Sequence, residues 1–190
     1  MARLLLFHDF TSPYCRLAAR VAADAAERTG LELRPVPFEL RPAPAGLPAP
    51  DELDAAELET ARSLAREWGV PLGELRRVPR TRKAHEAVAY AIAKDAALAA
   101  LNGIYDALWR DGLDIARLDV LADVGAAAGL EREPLHVALG LDTFEGDVIR
   151  EQDAAAAAGV TGVPVVQVRD VTAVGLLPVD ELVAWIEENL

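Results

Sequence analysis

The apolar run Leu4-Leu5-Leu6-Phe7 leads straight into Asp9-Phe10-Thr11-Ser12-Pro13-Tyr14-Cys15 and then into an alanine-rich stretch that stops at Gly30. A short apolar run, a sharp turn and a helical pattern, in that order, read as a buried strand feeding a helix. The strand is expected over Arg3 to His8. The helix follows from about Pro13 to Arg28, with Leu17, Val21 and several alanines inward and Arg16, Arg20, Asp24 and Glu27 outward. Pro13 suits the first helical turn, where its missing N–H costs nothing. Unpaired amides and about half a positive charge of helix dipole face whatever lies over such a turn. Ser12 and Cys15 are three apart, so one hydroxyl and one thiol share a face at the positive helix end.

Leu31 to Val36 alternates like a strand, and its prolines place it at a sheet edge. Strand, helix and strand then form a right-handed unit with parallel strands. Residues 35–50 are too rich in Pro and Gly for a helix or a central strand, and they mark a boundary. Helical patterns follow: Asp51 to Trp68, a short helix or turn over Pro71 to Arg77, and a long helix from Thr81 towards Ala100. Leu98, Leu101, Tyr105 and Leu108 form a core face at helical spacing. Asp114 is placed to cap a helix over Ile115 to Ala128, a shorter helix covers Glu131 to Leu139, and Asp142-Thr143-Phe144-Glu145 fits a capping box for a helix reaching Ala158. Val163 to Val168 and Val171 to Val174 read as a hairpin around Arg169-Asp170, and Pro178 opens the last helix.

With 190 residues the chain can bury one core or carry one domain with an insertion. The formal charge of −12 repels phosphates, which excludes nonspecific nucleic-acid and acidic-membrane binding. Arg76-Arg77-Val78-Pro79-Arg80-Thr81-Arg82-Lys83 is the local exception and reads as a solvated basic surface. A single Cys excludes an internal disulfide and a Cys-built zinc site, and the three scattered histidines offer no metal spacing, so no metal is expected. His85 sits one position from the apolar stripe and reads as a partly buried, hydrogen-bonded structural histidine. No apolar run approaches the ~18 residues of a membrane span. The first apolar run is too short for a signal-peptide core, and a cytoplasmic protein is expected.

Two stretches far apart carry a resemblance. Ser12-Pro13-Tyr14-Cys15 resembles a DsbA-type Cys-Pro-x-Cys centre whose first Cys is Ser, and Gly159-Val160-Thr161-Gly162-Val163-Pro164 followed by Val165-Val166 resembles the loop that carries that family's cis-proline. Pro37-Phe38-Glu39-Leu40 and the pair Ala84-His85 resemble the FrnE-like branch. Ser12-Pro13-Tyr14 is similar to the turn of 2-hydroxychromene-2-carboxylate isomerases and kappa-class glutathione transferases. Those relatives commonly have a second Ser where Cys15 stands, and they use Asn or Lys residues that have no counterpart between this turn and residue 82.

The resemblance implies an α/β chain with a DsbA-like thioredoxin fold and an all-helical insertion. Residues 1–50 and 142–190 would form the thioredoxin part and residues 51–141 the insertion. It further implies an oxidoreductase-family enzyme doing thiol-linked chemistry on a small molecule. Ser12 would hold a thiolate, Cys15 would be a second thiol, and Pro13, Tyr14, Val163 and Pro164 would bind the thiol ligand beside a cis Val163–Pro164 bond. No cofactor is expected to bind tightly; glutathione or another small thiol would be the co-substrate. Homodimers are common among the relatives, although no feature here carries one.

A hydroxyl without a neighbouring base does not replace a thiolate in disulfide exchange. Three readings of the centre therefore stay open. Ser12 holds the thiolate of a bound thiol, as in a glutathione-dependent isomerase or transferase. Cys15 is itself a reactive monothiol, against its reading as a small buried hydrophobe. Or the fold is a catalytically silent module that binds a peptide or partner in extended form.

Overall fold

In the computed structural model, which describes residues 2–190, one four-stranded sheet has the order β2-β1-β3-β4. β1 (Arg3–His8) runs parallel to β2 (Glu32–Pro37) and antiparallel to β3 (Val165–Val168), which pairs in turn with β4 (Val171–Val174). Alternate residues of β1 serve opposite faces. Leu4 and Leu6 join the large core with the helix α1 (Pro13–Thr29), whereas Phe7 packs with Val36, Val165, Ala155 and Val160 on the other side. β2 is an edge strand, as its prolines predict, and α1 ends at Gly30, whose φ of +69° closes the helix in the left-handed conformation.

Between β2 and β3 lie six helices: α2 (Ala55–Trp68), α3 (Arg82–Ile92), α4 (Ala97–Trp109), α5 (Leu118–Ala127), α6 (Arg132–Gly140) and α7 (Glu145–Ala157). The last helix, α8 (Val179–Asn189), packs beside α1 and buries Leu182 and Ile186. None of the described helices is long and apolar enough to cross a membrane.

α4 seats the first turn of the molecule. Leu101, Ile104, Tyr105, Leu108 and Trp109 are almost wholly buried. Trp109 Nε1 donates to Phe10 O at 2.8 Å, and Tyr105 Oη lies 3.3 Å from Asp9 O and 3.0 Å from His8 Nδ1. Arg16, expected outward, is instead 6% exposed, because its guanidinium reaches across to Asp106 at 2.6 Å and Asn102 at 3.3 Å on α4. Such a partnered arginine can be buried where an unpaired one cannot.

Several boundaries differ from the periodicity. The helix expected from Thr81 towards Ala100 breaks at residues 93–96, where Asp95 takes φ +56° and Ala96 N bonds back to Ala91 O. Asp tolerates that conformation better than most residues, so no Gly or Pro announces the break. The new register leaves Leu98 37% exposed, outside the core face expected for it. The segment 71–77 forms no helix and is held by Gly73 N on Trp109 O at 2.7 Å. Asp54, not Asp51, caps α2 through the amides of Ala56 and Glu57, after a single turn of 3₁₀ helix at Pro50–Glu52. Asp114 binds Ala116 N at 3.1 Å in a turn, and α5 starts only at Leu118. The capping box at Asp142 does not form: Asp142 has φ +53° and its carboxylate pairs with Lys83.

The basic stretch is only partly solvated. Arg77 pairs with Asp114, but Arg80 donates to the carbonyls of Arg41 and Ala45, Arg82 pairs with Glu39, and Lys83 reaches Glu86, Asp142 and Leu139 O. These side chains clamp the proline-rich loop and α7 to α3.

Replacing Tyr105 by Phe strips the hydroxyl that joins His8 Nδ1 to Asp9 O. The variant is expected to lose about 1–3 kcal/mol of stability in urea denaturation, the cost of leaving a buried polar group unpartnered.

Candidate functional site

The turn after β1 is built around the carboxylate of Asp9, which is 1% exposed. Its Oδ1 accepts Thr11 N at 3.3 Å, and its Oδ2 accepts Thr11 Oγ1 at 3.3 Å and Leu40 N at 2.7 Å. The Thr81 hydroxyl also bonds to it. Burial pushes the Asp9 carboxyl up, and these donors pull it back in part. Asp9 O accepts Ser12 N at 3.3 Å, so the same residue sets the backbone path into α1. Side-chain and main-chain bonds two and three residues on are an ordinary turn device of Asp.

Ser12 is the N-cap of α1. It is 7% exposed, its Oγ accepts Cys15 N at 3.3 Å, and Pro13 takes the first helical position. An open cleft of about 710 Å³ lies against it. Thr11, Ser12 and Pro13 form one wall, Gly162 and Val163 another, and residues 40–58 the rest. Arg41 is the one cation among the described lining residues, against Glu52, Asp54 and Glu57. Glu52 and Asp54 are engaged on backbone amides, at Ala49 N and at the start of α2.

The structure thus joins Ser12, Pro13 and Val163 in one cleft. Tyr14, Cys15 and Pro164 stand outside its wall. Tyr14 is half-buried against the cluster of Leu17, Ala65 and Val70; burial and the carboxylates of Glu57 and Asp54 push its phenol up. Pro164 is buried behind Val163, the peptide between them is cis, and Pro164 O accepts Gly175 N at 2.9 Å.

Cys15 has no exposure, and burial pushes its thiol up to about 12 although the Ser12 hydroxyl and Asp9 backbone act in the opposite direction. At neutral pH it is a thiol, not a thiolate, and it packs among Leu4, Leu6 and Phe10 in the core.

Behind the turn, His8 and His85 lie with ring centroids 5.0 Å apart and are both buried. Burial lowers His8 to about 3 and holds His85 well below 6.5, so both are neutral, and the 3.9 Å approach of His85 Nε2 to Asp9 Oδ1 is no ion pair. His85 was expected to be partly buried and hydrogen-bonded. It is 2% exposed, and its Nε2 has no partner among the described residues. The described residues contain no group of three or more His, Cys, Asp or Glu placed to hold a metal.

Sequence reasoning missed Asp9, Thr11, Leu40 and Thr81 as the frame of the site. Asp9 and Thr11 stand two apart in the turn, the one local signal available; the partners at 40 and 81 are joined only by the fold.

The sequence pattern of the DSBA-like thioredoxin domain matches residues 3–187. The chain belongs to that family. Among curated proteins none matches the chain. Solved structures do. A probable DsbA oxidoreductase from Streptomyces coelicolor superposes with a TM-score of 0.88 at 22% identity, covering 99% of this chain and 89% of that one. A 2-hydroxychromene-2-carboxylate isomerase gives 0.77 at 22% identity, covering 98% and 93%. The cytosolic disulfide reductase DsbM from Pseudomonas aeruginosa with GSH gives 0.74 at 23% identity, covering 98% of each chain. At these identities the likeness is one of fold. It establishes the α/β thioredoxin architecture of the DsbA type, within a family of oxidoreductases and isomerases.

Two measurements check the electrostatics of the turn. In the folded DSBA-like protein Cys15 should resist iodoacetamide at pH 8 over hours and react fully in urea, as read by mass spectrometry. His8 stays neutral in the fold while the unfolded chain protonates below 6.5, so its stabilising contribution is present above that pH and lost as pH falls towards 3. His8→Asn should therefore remove about 1.4 kcal/mol per pH unit from the decline in urea stability between pH 6 and 4.

Proposed function

We propose that this chain is an enzyme of thiol-linked chemistry on a small molecule, with the thiolate of a bound small thiol held at Ser12. One observation carries the reading: the hydroxyl at the positive end of α1 lines an open cleft, whereas the protein's own sulfur is buried beneath it with its thiol pushed up to about 12. A sulfur ionised at this turn has to arrive with the ligand. Ser12 Oγ already accepts Cys15 N, which leaves its hydrogen free to turn towards a sulfur in the cleft. That bond, the first-turn amides and the helix dipole all favour the thiolate over the thiol.

Glutathione is the first candidate co-substrate. DsbM is described with GSH and as cytosolic, and the isomerase shares the fold. Val163 offers the opposite wall for an extended thiol, and Arg41 offers a cation to a carboxylate. The thiolate adds to an electrophilic carbon, forming a C–S bond as electrons move into the acceptor. Return of the electrons expels the same thiolate and completes an isomerisation; protonation of the acceptor instead leaves a conjugate. We place this chemistry in the cytoplasm. The burial of Cys15 speaks against the monothiol reading.

Calorimetric titration with reduced glutathione tests the proposal. Wild type should bind saturably, and Ser12→Ala should bind about 10- to 150-fold more weakly, the worth of one charge-assisted hydrogen bond. Ser12→Gly should behave like Ser12→Ala, since Gly keeps the helix cap to within a few tenths of a kcal/mol. Cys15→Ala should bind like wild type. Equal binding by wild type and Ser12→Gly, or none by wild type, overturns the role given to Ser12.

A further inference from the structure

A second, smaller cavity of about 290 Å³ lies between β2, α3 and α7, apart from the Ser12 cleft. Its apolar wall includes Pro35, Pro37, Val88, Ile92, Phe144 and Val148, and the imidazoles of His8 and His85 take part in its lining. Its charged residues compensate one another: Arg34 pairs with Glu151, and Arg150 with Asp147. Neither imidazole carries a charge at neutral pH, so an anion gains nothing from them.

His8 is served by Tyr105 at 3.0 Å. His85 is not served. Its Nε2 is buried without a partner, and the nearest acid, Asp9 Oδ1 at 3.9 Å, is too far for a hydrogen bond and already accepts Thr11 N. A polar ring left unsatisfied beside a cavity is uncommon in a folded protein and marks a place where a ligand or an ordered water completes the bonding. The volume lies at the small end of ligand pockets, and the mixture of apolar wall and few polar groups is their usual character.

We infer that this cavity binds a small uncharged molecule with an apolar body of about one ring and a hydroxyl, and that the imidazole of His85 is its hydrogen-bonding partner. A neutral imidazole offers a lone pair and an N–H, which a hydroxyl matches as donor or acceptor. The apolar wall takes the ring.

The probe is p-cresol, with 4-methylanisole as the same shape without a donor. In calorimetric titration, wild type should bind p-cresol saturably and about tenfold more tightly than the ether, the scale of one neutral hydrogen bond. His85→Leu should remove that tenfold preference, His85→Gln should keep most of it, and Ile92→Phe, which fills the cavity, should abolish binding of both. The wild-type comparison stands even where a variant fails to fold. Equal affinity for the two probes, a preference unchanged in His85→Leu, or no saturable binding by wild type overturns the inference; in the last case the cavity holds water only.

Discussion

The buried carboxylate of Asp9 is the interaction on which the rest of the molecule depends. A carboxylate at 1% exposure costs several kcal/mol unless donors surround it. Here they come from three separated parts of the chain: the turn itself at Thr11, the exit of β2 at Leu40, and the approach to α3 at Thr81. Satisfying one charge therefore fixes the relative positions of β1, the proline-rich loop and the helical region. The cost of the burial and the definition of the site have the same source.

From that anchor the geometry of Ser12 follows. Asp9 O holds Ser12 N, Ser12 Oγ holds Cys15 N, and α1 leaves the turn with its positive end at the cleft. α4 supports the turn from below through Tyr105 and Trp109, which bind the carbonyls of Asp9 and Phe10. The site is thus rigid in backbone before any ligand arrives. Its chemistry then turns on one atom. A hydroxyl stays protonated at neutral pH and supplies a donor, where a sulfur at the same place would supply charge. Cys15 does not restore that charge, because the helix that favours a thiolate at its mouth carries Cys15 one turn inward, among Leu4, Leu6 and Phe10.

Local signals were readable where they depend on neighbours in sequence. The strand at Arg3–His8, the helix after Pro13, the stop at Gly30 and the hairpin at Arg169-Asp170 rest on periodicity and turn chemistry that hold within a few residues. The family was readable because its two marks, Ser12 to Cys15 and Gly159 to Pro164, are themselves local. What failed was set by distance. Asp142 looks like a helix cap until Lys83 arrives from α3 to take its carboxylate. Arg16 looks like a surface residue until Asp106 and Asn102 come within reach. Asp95 ends a helix in an unbroken run of helix formers, with no local residue to announce it.

The same argument explains why the two histidines were the hardest residues to read. A histidine one position from an apolar stripe is compatible with a surface, a core or a catalytic role, and only its partners decide. In the fold His8 gains Tyr105, from a helix ninety-seven residues away in sequence. His85 gains a place 3.9 Å from the carboxylate that anchors the turn, with no bond to it. Asp9 is committed to Thr11, Leu40 and Thr81, so it cannot turn to His85 without releasing one of them. The bonding that His85 lacks must therefore come from the other direction, which is the cavity it lines.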